Sequence, residues 1–176
     1  MNTQQNYKNI IQGKRNRAAG QHFEEMIEAS CQYYRLHEKA EIDKTPEPFK
    51  VERHIGQGKF IGHYEKQAQP DFKGSVLGGG SIVFEAKHTD TDRLTQSVVS
   101  DEQIRALNRH TKMGAECFVI ISFGFQLFYK IPWEQFKNMK ELYGRKYIMP
   151  EDITEYRIKY IGGVLEFLNS EEVKQQ

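Results

Sequence analysis

The run Ala115-Glu116-Cys117-Phe118-Val119-Ile120-Ile121-Ser122-Phe123 constrains the fold more than any other segment, because it is almost continuously apolar. A strand with one wet face alternates apolar and polar side chains, whereas a strand covered on both faces does not. The run therefore predicts a central strand between two layers, which suits a sheet flanked by helices. At 176 residues the chain has the length of one domain with a real core. It shows no internal repeat and no low-complexity linker.

Other segments can be arranged around that strand. From Arg17 to about Glu38, the residues Phe23, Met26, Ile27, Ser30 and Tyr34 recur at helical spacing and predict a long amphipathic opening helix. Residues 1–16 are polar, carry Lys8, Lys14 and Arg15, and lack that periodicity. They are expected to form a flexible basic arm ahead of a single domain spanning 17–176. Pro46 and Pro48 exclude regular helix after Ala40-Glu41-Ile42-Asp43. Gly78-Gly79-Gly80 predicts the turn of a hairpin running from Asp71 to Lys87. Ser100 to about Met113 predicts a helix capped by Ser100 or Asp101. Beyond Gly124, Phe125 to Ile131 predicts another strand, and Pro132 the start of a helix with Trp133 and Phe136 inward. Tyr156, Ile158 and Tyr160 alternate like a strand, and Leu165 to Leu168 suggests a short one before a polar tail.

Residues 49–67 interleave Lys50, Arg53, His54, Lys59, His63 and Lys66 with Val51, Ile55, Phe60, Ile61 and Tyr64. Gly56 and Gly58 at the middle of the segment predict a projecting β-hairpin, since glycine permits the positive backbone angles of tight turns. An exposed loop with ordinary surface charge is the plainer reading. The formal charge of +1 means that nucleic-acid affinity, if any, rests on such local basic clusters rather than on a global field.

Two cysteines without metal-ligand spacing, Cys31 and Cys117, indicate neither a disulfide framework nor a zinc site. No apolar run reaches membrane-spanning length and no N-terminal apolar leader is evident, so a cytoplasmic protein without a membrane partner is expected.

The chemistry concentrates in Gln69-Pro70-Asp71-Phe72-Lys73-Gly74 and Phe84-Glu85-Ala86-Lys87-His88. Strand alternation sends Glu85 and Lys87 to one face and His88 to the other. Asp71 and Glu85 on neighbouring strands could hold Mg²⁺ or Mn²⁺, hard cations that favour oxygen ligands. Lys87 could orient or deprotonate a water, or offset charge in a phosphoryl transition state. Taken alone, a Glu-Ala-Lys strand end is more often a solvated face, and its context is what strengthens it.

The order helix, hairpin, helix, buried strand resembles the restriction-endonuclease-like PD-(D/E)xK core, an αβββαβ arrangement with a mixed sheet flanked by helices. The resemblance narrows when further segments are read together. Glu24 with Tyr33-Tyr34, then Ala40-Glu41-Ile42-Asp43-Lys44-Thr45-Pro46-Glu47-Pro48, the two site segments, Asp101-Glu102-Gln103-Ile104 and the central strand are similar to RecU-type Holliday junction resolvases. The match runs from about residue 16 to 137. That family implies a homodimer cutting four-way DNA junctions symmetrically with Mg²⁺, a stalk corresponding to the protruding hairpin, and a recombinase as a further partner.

Transferred to this chain, the resemblance makes Asp71 and Glu85 the metal carboxylates, Lys87 the transition-state stabiliser and Gln103 a completing ligand. Gln69 replaces the family's threonine two residues before the metal aspartate. Glu24 would support the site through its helix or simply face solvent. Lys14, Arg15, Arg17, Lys50, Arg53, Lys59, Lys66 and Lys73 are the expected DNA contacts. A general nuclease of the same superfamily and a non-catalytic junction-binding module are the competing readings.

Overall fold

A computed structural model describes residues 3–46, 48–64 and 69–168. Helix α1 (Thr3–Leu36) buries Phe23, Ile27, Cys31 and Tyr34, the stripe that the helical spacing predicts. It begins at Thr3, so residues 3–16 are helical rather than an irregular arm. That stretch contains no proline and several good helix formers, and an established helix propagates through it without core contacts. Its side chains from Asn6 to Asn16 remain exposed.

The chain continues through β1 (Ala40–Lys44), the hairpin strands β2 (Phe49–Gly56) and β3 (Lys59–Tyr64), then β4 (Phe72–Val76) and β5 (Ser81–Thr89). Helix α2 (Asp101–Lys112) leads to β6 (Glu116–Phe123) and β7 (Leu127–Pro132). Short helices α3 (Trp133–Lys137) and α4 (Met139–Tyr143) precede β8 (Arg157–Ile158).

Six strands form one mixed sheet in the order β1-β4-β5-β6-β7-β8. Only β5 and β6 run parallel among these neighbours, and α2 supplies the crossover that a parallel pair requires. The sequence α1-β1-β4-β5-α2-β6 reproduces the expected αβββαβ order, with β6 inside the sheet and buried from Cys117 onward. Close approach of β1 and β4 explains Gly74: a Cβ there would lie 2.1 Å from the Glu41 carbonyl oxygen.

The two faces of the sheet build separate apolar clusters. On the α1 side, Phe72, Phe84 and Phe118 stack across β4, β5 and β6, with ring centroids 5.0 and 4.7 Å apart. On the other side, α2 and α3 cover Val83, Val119, Ile121, Ile131 and the inward Trp133 and Phe136.

The end of the described chain also belongs to the α1 layer. Tyr34 Oη donates to the Leu165 carbonyl at 2.7 Å and accepts from the Phe167 amide at 3.0 Å. Phe167 is fully buried there. The short pairing in this region is Tyr160–Ile161 with Val164–Leu165, so the strand predicted at Leu165 to Leu168 stops at Leu165.

The β2–β3 hairpin forms its own two-stranded sheet, with every β2 residue exposed. Its turn places Gly56, Gln57 and Gly58 at φ of 85°, 51° and 72°, the left-handed region foreseen for the glycines. Cys31 and Cys117 are free and buried. Among the described residues, no helix is long and apolar enough to cross a membrane.

Candidate active site

Asp71 precedes β4 and is fixed by its backbone, because its carbonyl accepts from the Thr45 amide at 2.8 Å. The hairpin insertion leaves the sheet after β1 and returns at Asp71, so its foot lies beside this carboxylate. One oxygen of Asp71 accepts from the Ala86 amide at 2.9 Å and from Lys87 Nζ at 3.0 Å. β5 supplies Glu85 and Lys87 on the α2 face, where Lys87 Nζ donates to Glu85 Oε2 at 2.7 Å. Lys87 thus bridges both carboxylates.

Helix α2 reaches the same group with its first turn. Ser100 caps the helix, accepting from the Gln103 amide, while Gln103 Oε1 accepts from the Ser100 amide at 3.0 Å. The other end of the Gln103 amide, Nε2, donates to Glu85 Oε2 at 2.5 Å. Glu85 Oε2 therefore has two donors, whereas the buried Glu85 Oε1 has none.

Electrostatics follow from this geometry. Glu85 is wholly buried, while Asp71 keeps 22% of its side chain exposed, so the site opens at Asp71 and closes at Glu85. Burial is the largest influence on Glu85 and pushes its carboxyl up to about 8; Lys87 opposes this, and neighbouring Asp71 adds to it. For Lys87, burial favours the neutral amine, but Asp71 and Glu85 outweigh it and raise the ammonium's pKa. The lysine stays charged between two carboxylates that it cannot fully satisfy.

The other expected site residues lie outside this cluster. Gln69 is exposed and its amide oxygen accepts from Lys73 at 2.8 Å, so it does not join Asp71 and Glu85. Glu24 belongs to α1, which packs on the opposite face of the sheet, and pairs with Lys44 at 3.0 Å. It lines a cleft with Arg17, Gln21, Lys44 and Thr45, adjoining the strand end that holds Asp71. His88 faces away, as alternation requires, stacking on Phe125 at 4.0 Å and bonding Ser122.

Of the expected DNA contacts, Lys14 and Arg15 are exposed on α1, and Lys50, Arg53 and Lys59 on the hairpin. Lys66 lies outside the described residues. Ser100 escaped the sequence reading as a site residue, although the Ser-x-x-Gln spacing of a capping box was visible.

The family profile Recombination protein U matches residues 18–171. The chain belongs to the Recombination protein U family. Among curated relatives, a Holliday junction resolvase RecU from Streptococcus pneumoniae is 28% identical over 131 residues, covering 72% of this chain and 66% of that protein. The Streptococcus oralis protein of the same name is 30% identical over 112 residues, covering 61% of this chain and 57% of the relative. The chain thus spans less than two thirds of these RecU relatives. Among solved structures, Hjc from Archaeoglobus fulgidus, described as a Holliday junction resolvase, aligns with a TM-score of 0.43 and 14% identity, over 77% of this chain and 88% of Hjc.

Proposed function

We propose that this protein is a Mg²⁺-dependent, structure-selective endodeoxyribonuclease that resolves four-way DNA junctions in recombination and repair, acting as a homodimer that makes paired nicks. The observation that carries this reading is the convergence of Asp71, Glu85 and Lys87 at the foot of the basic hairpin. Family membership and the names of the relatives support it. A two-fold dimer suits a substrate with two equivalent strands to cut.

The residues fit a hard divalent cation. Glu85 Oε1 is buried without a donor, Asp71 lies beside it with part of its side chain open to solvent, and both are oxygen ligands. Among the described residues, no cluster of three or more His, Cys, Asp or Glu surrounds the position. A cation held by only two carboxylates keeps sites for water and substrate phosphate, the habit of Mg²⁺. Bound there, it would neutralise the phosphate and acidify water. Lys87 keeps its proton and presents positive charge where charge develops on the phosphoryl oxygens. Lys50, Arg53 and Lys59 supply contacts that follow phosphate position rather than base sequence.

The test is cleavage of a synthetic four-way junction and of a linear duplex of equal sequence, with products mapped on all strands. Wild type should nick two opposed junction strands, and Asp71→Asn should lower the rate by about 10²–10³-fold. Equal rates on both substrates would indicate a general endonuclease. Unchanged cleavage by the variant would refute the site, and binding without cleavage would leave a junction-binding module. Deleting residues 54–62 should impair junction cleavage while leaving the fold intact, since the hairpin is a separate sheet.

A further inference from the structure

We propose that Gln103 is a positioning residue that holds Glu85 in place for the cation, rather than a ligand of the cation. The inference rests on the reading of Asp71 and Glu85 as a cation site, and it corrects the role that family resemblance implies for Gln103.

Both ends of the Gln103 amide are engaged. Its oxygen, the only atom that could bind a cation, accepts from the Ser100 backbone at 3.0 Å. Its nitrogen donates to Glu85 Oε2 at 2.5 Å. Recruiting Gln103 as a ligand would require turning the amide, which removes the donor from Glu85 and leaves the Ser100 N–H without its partner. Leaving Gln103 in place costs nothing and directs the carboxylate, because Lys87 and Gln103 both occupy Oε2 and only the buried Oε1 is without a donor. A ligating carboxylate whose second oxygen is hydrogen-bonded has a fixed orientation.

The capping box makes this arrangement rigid. Ser100 Oγ accepts from the Gln103 backbone at 3.3 Å, so the side chain that holds Glu85 is anchored at both its backbone and its tip. The first turn of α2 and the β5 carboxylate are thereby tied into one unit. The same residue ends the helix's unsatisfied amides and orients the carboxylate, so the spacing of a common helix start carries a second task.

Two measurements on the full chain test the proposal. The first follows hydrogen exchange of the Ser100 backbone amide by NMR, before and after adding Mg²⁺. Protection should persist in the cation-bound protein. If the amide loses protection as Mg²⁺ binds, Gln103 has turned to ligate and the proposal is wrong. This measurement needs no variant, so it remains decisive even where a substitution disturbs the fold.

The second is calorimetric titration of Mn²⁺ into wild type and Gln103→Met, whose side chain is of similar length but cannot donate. Affinity should fall about tenfold or more, as for loss of an outer partner of a metal ligand. Unchanged affinity would overturn the positioning role. Failure of wild type to bind either cation would remove the cation site itself and this inference with it. Binding accompanied by release of Ser100 removes only the inference.

Discussion

Phe84 and Glu85 are consecutive residues of β5, both with 0% exposure, yet they meet opposite surroundings. Phe84 lies in the ring stack between Phe72 and Phe118. Glu85 faces α2 with one oxygen doubly bonded and the other unsatisfied. The α1 face follows the rules of a packed core, in which apolar groups interdigitate and the buried polar atoms of Ser30 and Tyr34 find partners. The site end of the α2 face breaks the rule against buried, incompletely paired charge. The contrast locates where stability has been given up for chemistry.

Breaking each side separately should give opposite results. Glu85→Gln is expected to lower Mg²⁺-dependent junction nicking by about 10²–10³-fold or more. The cation-free protein should be at least as stable as wild type at pH 8, because a neutral amide removes a poorly compensated buried charge. Nicking rates and thermal unfolding measure the two effects, and unfolding of the variant would contradict the contrast. Phe84→Ala should instead cost about 3–5 kcal/mol in denaturant unfolding, through lost burial and a cavity in the ring stack. Molecules that remain folded should still bind Mg²⁺.

The pH dependence sharpens the same comparison. The Glu85 carboxyl is raised from 4.5 to about 8 in the folded chain, chiefly by burial. Between these values the folded state holds a proton that the unfolded state has released. Its contribution to stability is therefore fully present below about pH 4.5 and is lost as pH rises through 8. The cation-free protein should lose unfolding temperature over this window. Saturating Mg²⁺ should flatten the decline, since a cation favours the ionised carboxylate, and Glu85→Gln should flatten it without the cation.

Much of this architecture was legible in the sequence. The apolar run 115–123 announced a strand covered twice, and the hairpin turn at Gly78-Gly79-Gly80 put Asp71 and Glu85 on paired strands. Alternation along β5 separated Lys87 from His88. What escaped depended on contacts between distant elements. Gln103 meets Glu85 only because α2 docks on β5, and Gln69 turns outward because Lys73, four residues ahead, takes its oxygen. Glu24 had a suitable charge, but its helix covers the other face of the sheet. The helical start of the chain has no apolar period to reveal it, and the two-residue pairings near Leu165 are too short to show one.

That last region supplies the smallest and most selective break. Tyr34 Oη joins the Leu165 carbonyl and the Phe167 amide, although α1 and this terminal segment are far apart in sequence. Tyr34→Phe keeps the ring against Phe167 but leaves both backbone groups without that partner, a cost of about 1–3 kcal/mol. Burial raises the Tyr34 phenol from 10 to about 12, so its contribution is present below pH 10 and is lost as pH rises towards 12. The variant should lack this alkaline part of the stability profile. Because Tyr34 belongs to the α1 layer, nicking at neutral pH and Mn²⁺ affinity should match wild type. A fall in cation affinity would show that the two faces of the sheet are coupled, and that the polar strain around Glu85 is supported by the packed core behind it.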